Sequence, residues 1–377
     1  MKDILKELED FKEKHYLETV ELLKTITKIP APSGKEEKRA EYIKKYLQDL
    51  GVDSEIDEVN NVIVEFNLKK DEKVNICMAH IDTVFEHTII DLEETEDRII
   101  APGVGDDTAN VAILLMVIKF VIENKISLTN TVFVFDSCEE GLGNLKGSRA
   151  IMNRYKDKME KVLAFDLQYT QIINKAVGSR RFRVNVKTEG GHSYLAFGNK
   201  NSIEVLAKII EEIYKIDTSK FESKTTYNVG KISGGTSVNT IAEHAEMLYE
   251  FRSEKDEDLD KMEELFFQVI EKVKTQNKNI DITKIGDRPA TGKLDPKAME
   301  ELTSMCKEII IKHTANDPKI ISASTDANLP LSMGIPAVCI GTYDGCGEHT
   351  NKEFVIKESL KKGFMIAGEV VLKINNI

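Results

Sequence analysis

No two of the five cysteines (Cys77, Cys138, Cys306, Cys339, Cys346) stand in a CxxC spacing, and their number is odd. That removes thiolate metal sites from consideration and fits a reducing cytoplasm better than a disulfide framework. No apolar run is long enough to cross a bilayer: the longest, VAILLMVI (111–118), is cut by Lys119. The first thirty residues are charged throughout and lack an apolar core or small-residue cleavage site, so they read as an amphipathic surface helix and not a signal peptide. Positive charge is also short, 52 Lys and Arg against 64 Asp and Glu, net −12. This disfavours nucleic acid or an anionic membrane as partner. There is no internal repeat, no low-complexity tract and no basic phosphate cradle. GVGDD (103–107) is glycine-rich, but its two acids would repel a phosphate.

What is present is an ordinary globular composition, 41% hydrophobic and 31% charged, in 377 residues, long enough to expect two domains. The first part alternates helix and strand patterns. SGKEEKRAEYIKKYLQDLG (33–51) has a Ser33 start and a glycine stop. NVIVEFNL (61–68) alternates as an edge or half-exposed strand would. VNICMA (74–79), TVFVF (131–135) and KVLAF (161–165) are short, nearly unbroken apolar runs, with an apolar helix over 108–125 between the first two. Such a pattern predicts an α/β domain with a mostly parallel sheet covered by helices. From about residue 179 the order becomes β-α-β-β-α-β, with helices over 201–216 and 256–277, which predicts an inserted ferredoxin-like α+β domain. The first pattern then resumes with a helix over 297–313, the run IPAVCIG and a closing helix over 357–374. The expected division is 1–178 with 291–377, interrupted by 179–290.

Ligands of open parallel sheets bind beyond the carboxyl ends of the strands. VNICMA leads there to His80 and Asp82, TVFVF to Asp136, Glu139 and Glu140, and KVLAF to Asp166. GVGDD places Asp106 and Asp107 before the helix at 108, and IPAVCIG is followed by a loop bearing His349. Each has an ordinary alternative: a helix cap for Asp106 or Asp107, a solvated pair for Glu139–Glu140, a turn residue for Asp166, a loop histidine for His349. Together these alternatives weaken, because like charges converging on one edge would repel. Carboxylates and histidines without thiolates suit one or two divalent cations, most naturally zinc.

The motifs HIDTV, GVGDDTAN, SCEEGLG, AFDL, GGHSY and GEHTNKEF, spaced along essentially the whole chain, resemble the co-catalytic two-metal peptidases that include peptidase T, carboxypeptidase G and the aminoacylases. The resemblance implies that His80, Asp106 and Asp166 hold one cation, and that Asp106 bridges to a second held also by Glu140 and His349. Asp82 would accept a hydrogen bond from His80 and orient it, and Glu139 would be the general base. His192 of GGHSY would stabilise the oxyanion, in its own or a partner subunit's site. Asn239 and Arg252 match substrate-contacting positions, Arg252 through a carboxylate; a solvated strand-end arginine is the competing reading. Asp326 would line the pocket or cap a helix. His15, His87, His244 and His313 match no ligand position and read as surface or packing residues. Where many relatives carry lysine and glycine after the double aspartate, this chain has Thr108 and Asn110, which leaves the ligands intact and puts the local turn in question.

The implied reaction is hydrolysis of an amide bond by hydroxide bridging two Zn2+ ions, with Mn2+ and Co2+ as other candidates. The expected enzyme is a cytoplasmic exopeptidase for short peptides, in particular a tripeptide aminopeptidase. An N-acyl amino acid deacylase or a carboxypeptidase is the near alternative, a non-catalytic metal-binding relative the distant one. A homodimer through residues 179–290 is implied by the insertion.

Overall fold

The computed structural model describes residues 2–275 and 279–377. The chain forms two compact units, one made of residues 1–175 with 293–377 and the other of 176–292. The helix expected over 256–277 runs Asp256–Lys274, and its last two expected residues lie outside the described set.

The larger unit is built on an eight-stranded sheet. Its centre is four adjacent parallel strands, in the order Thr131–Asp136, Val74–His80, Met159–Phe165 and Ala337–Ile340. These are the apolar runs seen in the sequence, and burial on both faces explains their lack of alternation. The strand Val62–Phe66 is not an edge. It lies antiparallel between Glu55–Ile56 and Thr131–Asp136, and its first three residues are buried. Val62, Ile63 and Val64 are apolar without a break, so the alternation resides only in the last residues of the segment. The strands Gln171–Ala176 and Lys319–Ala323 each hold only one pair of isoleucines between polar residues, too short an apolar run to stand out in the sequence.

The helix Thr108–Glu123 is buried over nearly its whole circumference, as its composition requires. Phe11 of the helix Lys2–Thr27 packs edge-on to Phe120 at 5.3 Å and stacks on Phe364 of the helix Ser359–Ile374 at 5.4 Å. Ser33 does not start the second helix, which spans Glu37–Asp49 with Glu36 as its cap residue. The Ser33 hydroxyl is bonded to Asp82 instead, at 2.5 Å. A small sheet that the sequence did not announce sets Phe354–Ile356 between Gly345–Cys346 and Arg98–Ile100, with Glu93–Glu94 at its edge. It carries the His349 segment onto the GVGDD loop.

The smaller unit has strands Thr225–Gly234, His244–Ser253, Gly178–Lys187 and Ile280–Arg288 in that spatial order, all neighbours antiparallel. With the helices Ser202–Ile213 and Asp256–Lys274 this is the ferredoxin-like βαββαβ arrangement. One face of the sheet meets the helices in a core containing Phe182, Tyr249, Phe251 and Phe266. Among the described residues, no helix is long and apolar enough to cross a membrane.

Candidate active site

His80 ends its strand buried, and its backbone N–H donates to Asp107 Oδ2 at 3.0 Å. Its Nδ1 faces the carbonyl oxygen of Asp82 at 3.1 Å. A carbonyl only accepts, so Nδ1 carries a proton and Nε2 is the ring atom turned to the acids, where it donates to Asp106 when protonated and offers a lone pair when not. Asp106 Oδ1 lies 3.1 Å from that Nε2, and Asp166 Oδ1 lies 4.0 Å away. The other Asp106 oxygen is 3.3 Å from His349 Nε2, which also meets Glu140 Oε1 at 2.9 Å. One carboxylate thus stands between two imidazoles. His349 reaches it from a left-handed backbone position, φ 60°.

The Asp82 carboxylate lies beside His80, its Oδ1 3.5 Å from Nδ1, with the Asp82 carbonyl nearer at 3.1 Å. It also accepts the backbone N–H groups of Glu139 and Glu140, both at 2.9 Å, and the Ser33 hydroxyl. The side chain holds the strand-end loop that carries the two glutamates.

Asp107 caps no backbone N–H of its helix; its second oxygen accepts from Asn110 Nδ2 at 2.5 Å. Asn110 Oδ1 in turn accepts from the Thr342 amide at 2.7 Å and from its hydroxyl. Arg39, buried in the second helix, donates to the carbonyls of Ile29 and Ile81 and to Thr108 Oγ1. Thr108 and Asn110 therefore have structural partners of their own.

Charge is frustrated throughout this cluster. Burial works against the His80 imidazolium, yet the carboxylates of Asp107, Asp106, Asp82 and Asp166 outweigh it and hold its pKa well above the ordinary value. Burial, then the Asp106 charge, pushes Asp166 well up and Glu140 to about 7. Burial would raise Asp106 as well, but its hydrogen bonds to His349 and His80 pull it below the usual carboxylate range. Among the described residues, Asp166 Oδ1 meets no hydrogen-bond donor although it is buried. Ligand atoms of His80, Asp106 and Asp166 lie within 4.8 Å of one another, as do those of Asp106, Glu140 and His349, and of His80, Glu139 and Glu140. An imidazole nitrogen aimed at acids, an orphaned carboxylate oxygen and converging carboxylates fit cations with nitrogen and oxygen ligands, which would take the place of the imidazolium proton.

The remaining expected residues are placed as follows. Asp326 is buried against Asp136, and burial with the Asp136 charge pushes its pKa well up. It does not cap the helix Asn328–Ser332, whose preceding turn is closed by Thr325 Oγ1 accepting from the Ala327 amide. His192, Asn239 and Arg252 belong to the smaller unit. His192 sits in a short ladder with Thr240, its Nδ1 accepting from Tyr194 and Leu195 amides at 3.3 and 3.4 Å. The Asn239 carbonyl accepts from the Ser193 amide at 3.0 Å, so it ties the same loop. Arg252 donates from Nε and Nη2 to the two oxygens of Glu250, at 3.0 and 3.2 Å. His15, His87, His244 and His313 are bonded to Glu18, Asn351, Asn185 and Glu369 respectively, and none of them belongs to the groups able to hold a cation among the described residues. Arg39 and Glu353, which organise the loops around the cluster, went unread because a buried side chain bonded to backbone leaves no spacing signature.

A parallel-sheet unit whose strand ends gather acids and imidazoles into sets able to hold cations has the make-up of a metal-dependent hydrolase. The signature of Peptidase family M20/M25/M40 matches residues 76–373, and the chain belongs to that family; it is a metallopeptidase-class hydrolase. A putative [LysW]-lysine/[LysW]-ornithine hydrolase of Pyrococcus abyssi is 33% identical over 135 residues, 36% of each chain. The chain thus spans about a third of that relative's length, and from 57% to 73% of the length of other curated relatives it matches. A tripeptidase of Staphylococcus aureus superposes with a TM-score of 0.77 at 20% identity, covering 96% of this chain and 99% of that one. A dinuclear metal-binding peptidase of Bacillus subtilis superposes with a TM-score of 0.64 at 15% identity, covering 97% and 99%. At these identities the likeness is one of fold.

Proposed function

We propose that the chain is a dinuclear metalloexopeptidase acting on short peptides, in particular a tripeptide aminopeptidase. The observation that carries this reading is Asp106, with one oxygen 3.1 Å from His80 and the other 3.3 Å from His349. In it, His80, Asp106 and Asp166 hold one cation, and Asp106, Glu140 and His349 the other. Zn2+ is the first candidate for an all nitrogen-and-oxygen set, followed by Mn2+ and Co2+. Two such cations, when bound, polarise a substrate carbonyl and acidify a water molecule.

The protein's own groups do the rest. Glu139, kept out of both ligand sets, takes a proton from the attacking water and returns it to the departing amine nitrogen. Asp82 keeps Glu139 and Glu140 in register through their amides. His192 donates to the developing oxyanion, and Asn239 holds its loop. Arg252 exchanges Glu250 for a substrate carboxylate, which presents the same two-oxygen face. Asp326 stays behind the site as a buried partner of Asp136. The segment 179–290 serves as lid and dimer contact: Tyr194, Leu195, Phe197 and Val238 are each more than four-fifths exposed, an apolar surface suited to a second copy. The setting is the cytoplasm, consistent with four buried thiols and one exposed one left unpaired.

The bidentate pairing of Arg252 with a carboxylate also favours a second reading, a carboxypeptidase or N-acyl amino acid deacylase, which would grip the substrate's carboxyl end. Assays of tripeptides, N-acetyl amino acids and C-terminal glutamyl compounds with Zn2+, Mn2+ or Co2+ decide between them. Turnover confined to acylated or C-terminal substrates would reject the aminopeptidase, and no turnover of any would reject the hydrolase mechanism.

A further inference from the structure

Four residues beyond His349 stands Glu353, a carboxylate with no solvent exposure. Its Oε1 accepts the amides of Gly105 at 2.8 Å and Asp106 at 2.7 Å, and its Oε2 accepts that of Gly103 at 2.8 Å. The main chains are joined as well: the Ala101 amide donates to the Glu353 carbonyl at 3.0 Å, and Phe354 pairs with Ile100. The loop has few means of holding itself. Gly103 adopts φ +70°, and a Cβ on Gly105 would lie 2.6 Å from the Tyr343 hydroxyl, so side chains are excluded where the amides turn inward. Those buried donors need an acceptor from elsewhere in the chain.

A neutral carbonyl could satisfy one such amide. A single carboxylate that takes all three, adjacent to a cluster already crowded with acids, is costly to bury and calls for a reason. The geometry supplies one. The amide of Asp106 is fixed by Glu353, while its two carboxylate oxygens point to His80 and His349. His349 and Glu353 lie on one segment, so the element that delivers one imidazole also sets the backbone of the acid facing it.

We propose that Glu353 is a positioning residue of the two-cation centre, clamping the Gly103–Asp106 loop so that the Asp106 carboxylate is aimed between His80 and His349. This rests on the reading of Asp106 as the shared ligand.

The test is a titration of metal-stripped full-length protein with Co2+, followed by its visible absorption, and with Zn2+ by calorimetry. In Glu353→Gln the amide can no longer accept at both oxygens. Because Asp106 serves both sites, binding of both ions is expected to weaken about 10- to 100-fold, the usual effect of losing a ligand-orienting partner, with a changed Co2+ spectrum. Glu369→Gln, which removes a buried carboxylate elsewhere in the same unit, is the control and leaves both binding steps unchanged. Wild-type affinities and spectrum in Glu353→Gln would overturn the proposal, as would an equal loss in the control. If Glu353→Gln does not fold, Glu353→Asp, with the same charge drawn back by one methylene, is judged by the same outcomes. Asp106→Asn separates the two ideas: if it too binds two Co2+ ions as wild type does, the shared-ligand reading fails. If it loses them while the Glu353 variants do not, only the clamp fails.

Discussion

Asp82 and Glu139 are joined by a hydrogen bond from the Glu139 amide to Asp82 Oδ1, 2.9 Å long, with the next amide held by the other oxygen. The residue two places after a strand-end histidine therefore governs the loop at the end of a neighbouring strand. Replacing it by asparagine leaves one acceptor where two are needed. Asp82→Asn is expected to lose about 10- to 100-fold in activity, as loss of a residue that orients ligands does. Steady-state kinetics at saturating metal check this; unchanged kcat/KM would count against the role.

Glu139 should be separable from the ligands. Glu139→Gln is expected to lower kcat about 100- to 10,000-fold, the contribution of a general base. Metal content by elemental analysis should remain at two ions per chain. Loss of one ion with the activity would make Glu139 a ligand instead.

Metal removal should be visible in stability, because converging carboxylates repel when no cation lies between them. A ligand at about 1,000 times its Kd stabilises by about 4 kcal/mol. Chelator-treated protein is expected to melt at a lower temperature and to recover on adding Zn2+, Mn2+ or Co2+. Equal melting with and without metal would contradict the cation-holding reading.

Acid sensitivity is expected at a second, distant cluster. Glu369 is buried, which alone would raise its pKa, but His313 and Lys312 bonded at 2.7 Å outweigh burial and hold it at about 2 against an ordinary 4.5. A carboxylate depressed on folding stabilises fully above its unfolded pKa and loses that contribution as pH falls through its folded pKa. The melting difference between wild type and Glu369→Gln should thus shrink as pH falls between about 4.5 and 2. A difference independent of pH over that window would refute the assignment.

Arg39 offers a test of the scaffold beneath the site. Its guanidinium serves the Ile29 and Ile81 carbonyls and the Thr108 hydroxyl from a fully buried position. Lysine cannot reach all three in that planar fan. Arg39→Lys is expected to cost about 1–3 kcal/mol for each acceptor left without a donor, read by chemical denaturation. A loss below about 0.5 kcal/mol, the level of an ordinary surface change, would show that the network is dispensable.

Chemical type and period were legible in the linear chain. Unbroken apolar runs of strand length can be buried only in a covered sheet; His80 and Asp166 follow two of those runs directly and the Glu139–Glu140 pair begins four positions after the third, so the gathering of acids and an imidazole at one edge could be anticipated. Helix amphipathicity likewise announced the ferredoxin-like unit. Ser33 misled because a hydroxyl near a helix start reads as a cap, whereas a buried carboxylate 49 positions away claimed it. The strands at 171–176 and 319–323 each carry a single pair of isoleucines between polar residues, too short a run to read, and the sheet supplies the partners that complete them.

Taken alone, the amino-acid order determined which residues were available for cations and where along the strands they fall, since both follow from side-chain chemistry and local periodicity. Only tertiary structure decided what holds them. Asp82, Glu353 and Arg39 act on backbone amides and carbonyls, which every residue possesses alike, so no spacing or composition could name their partners.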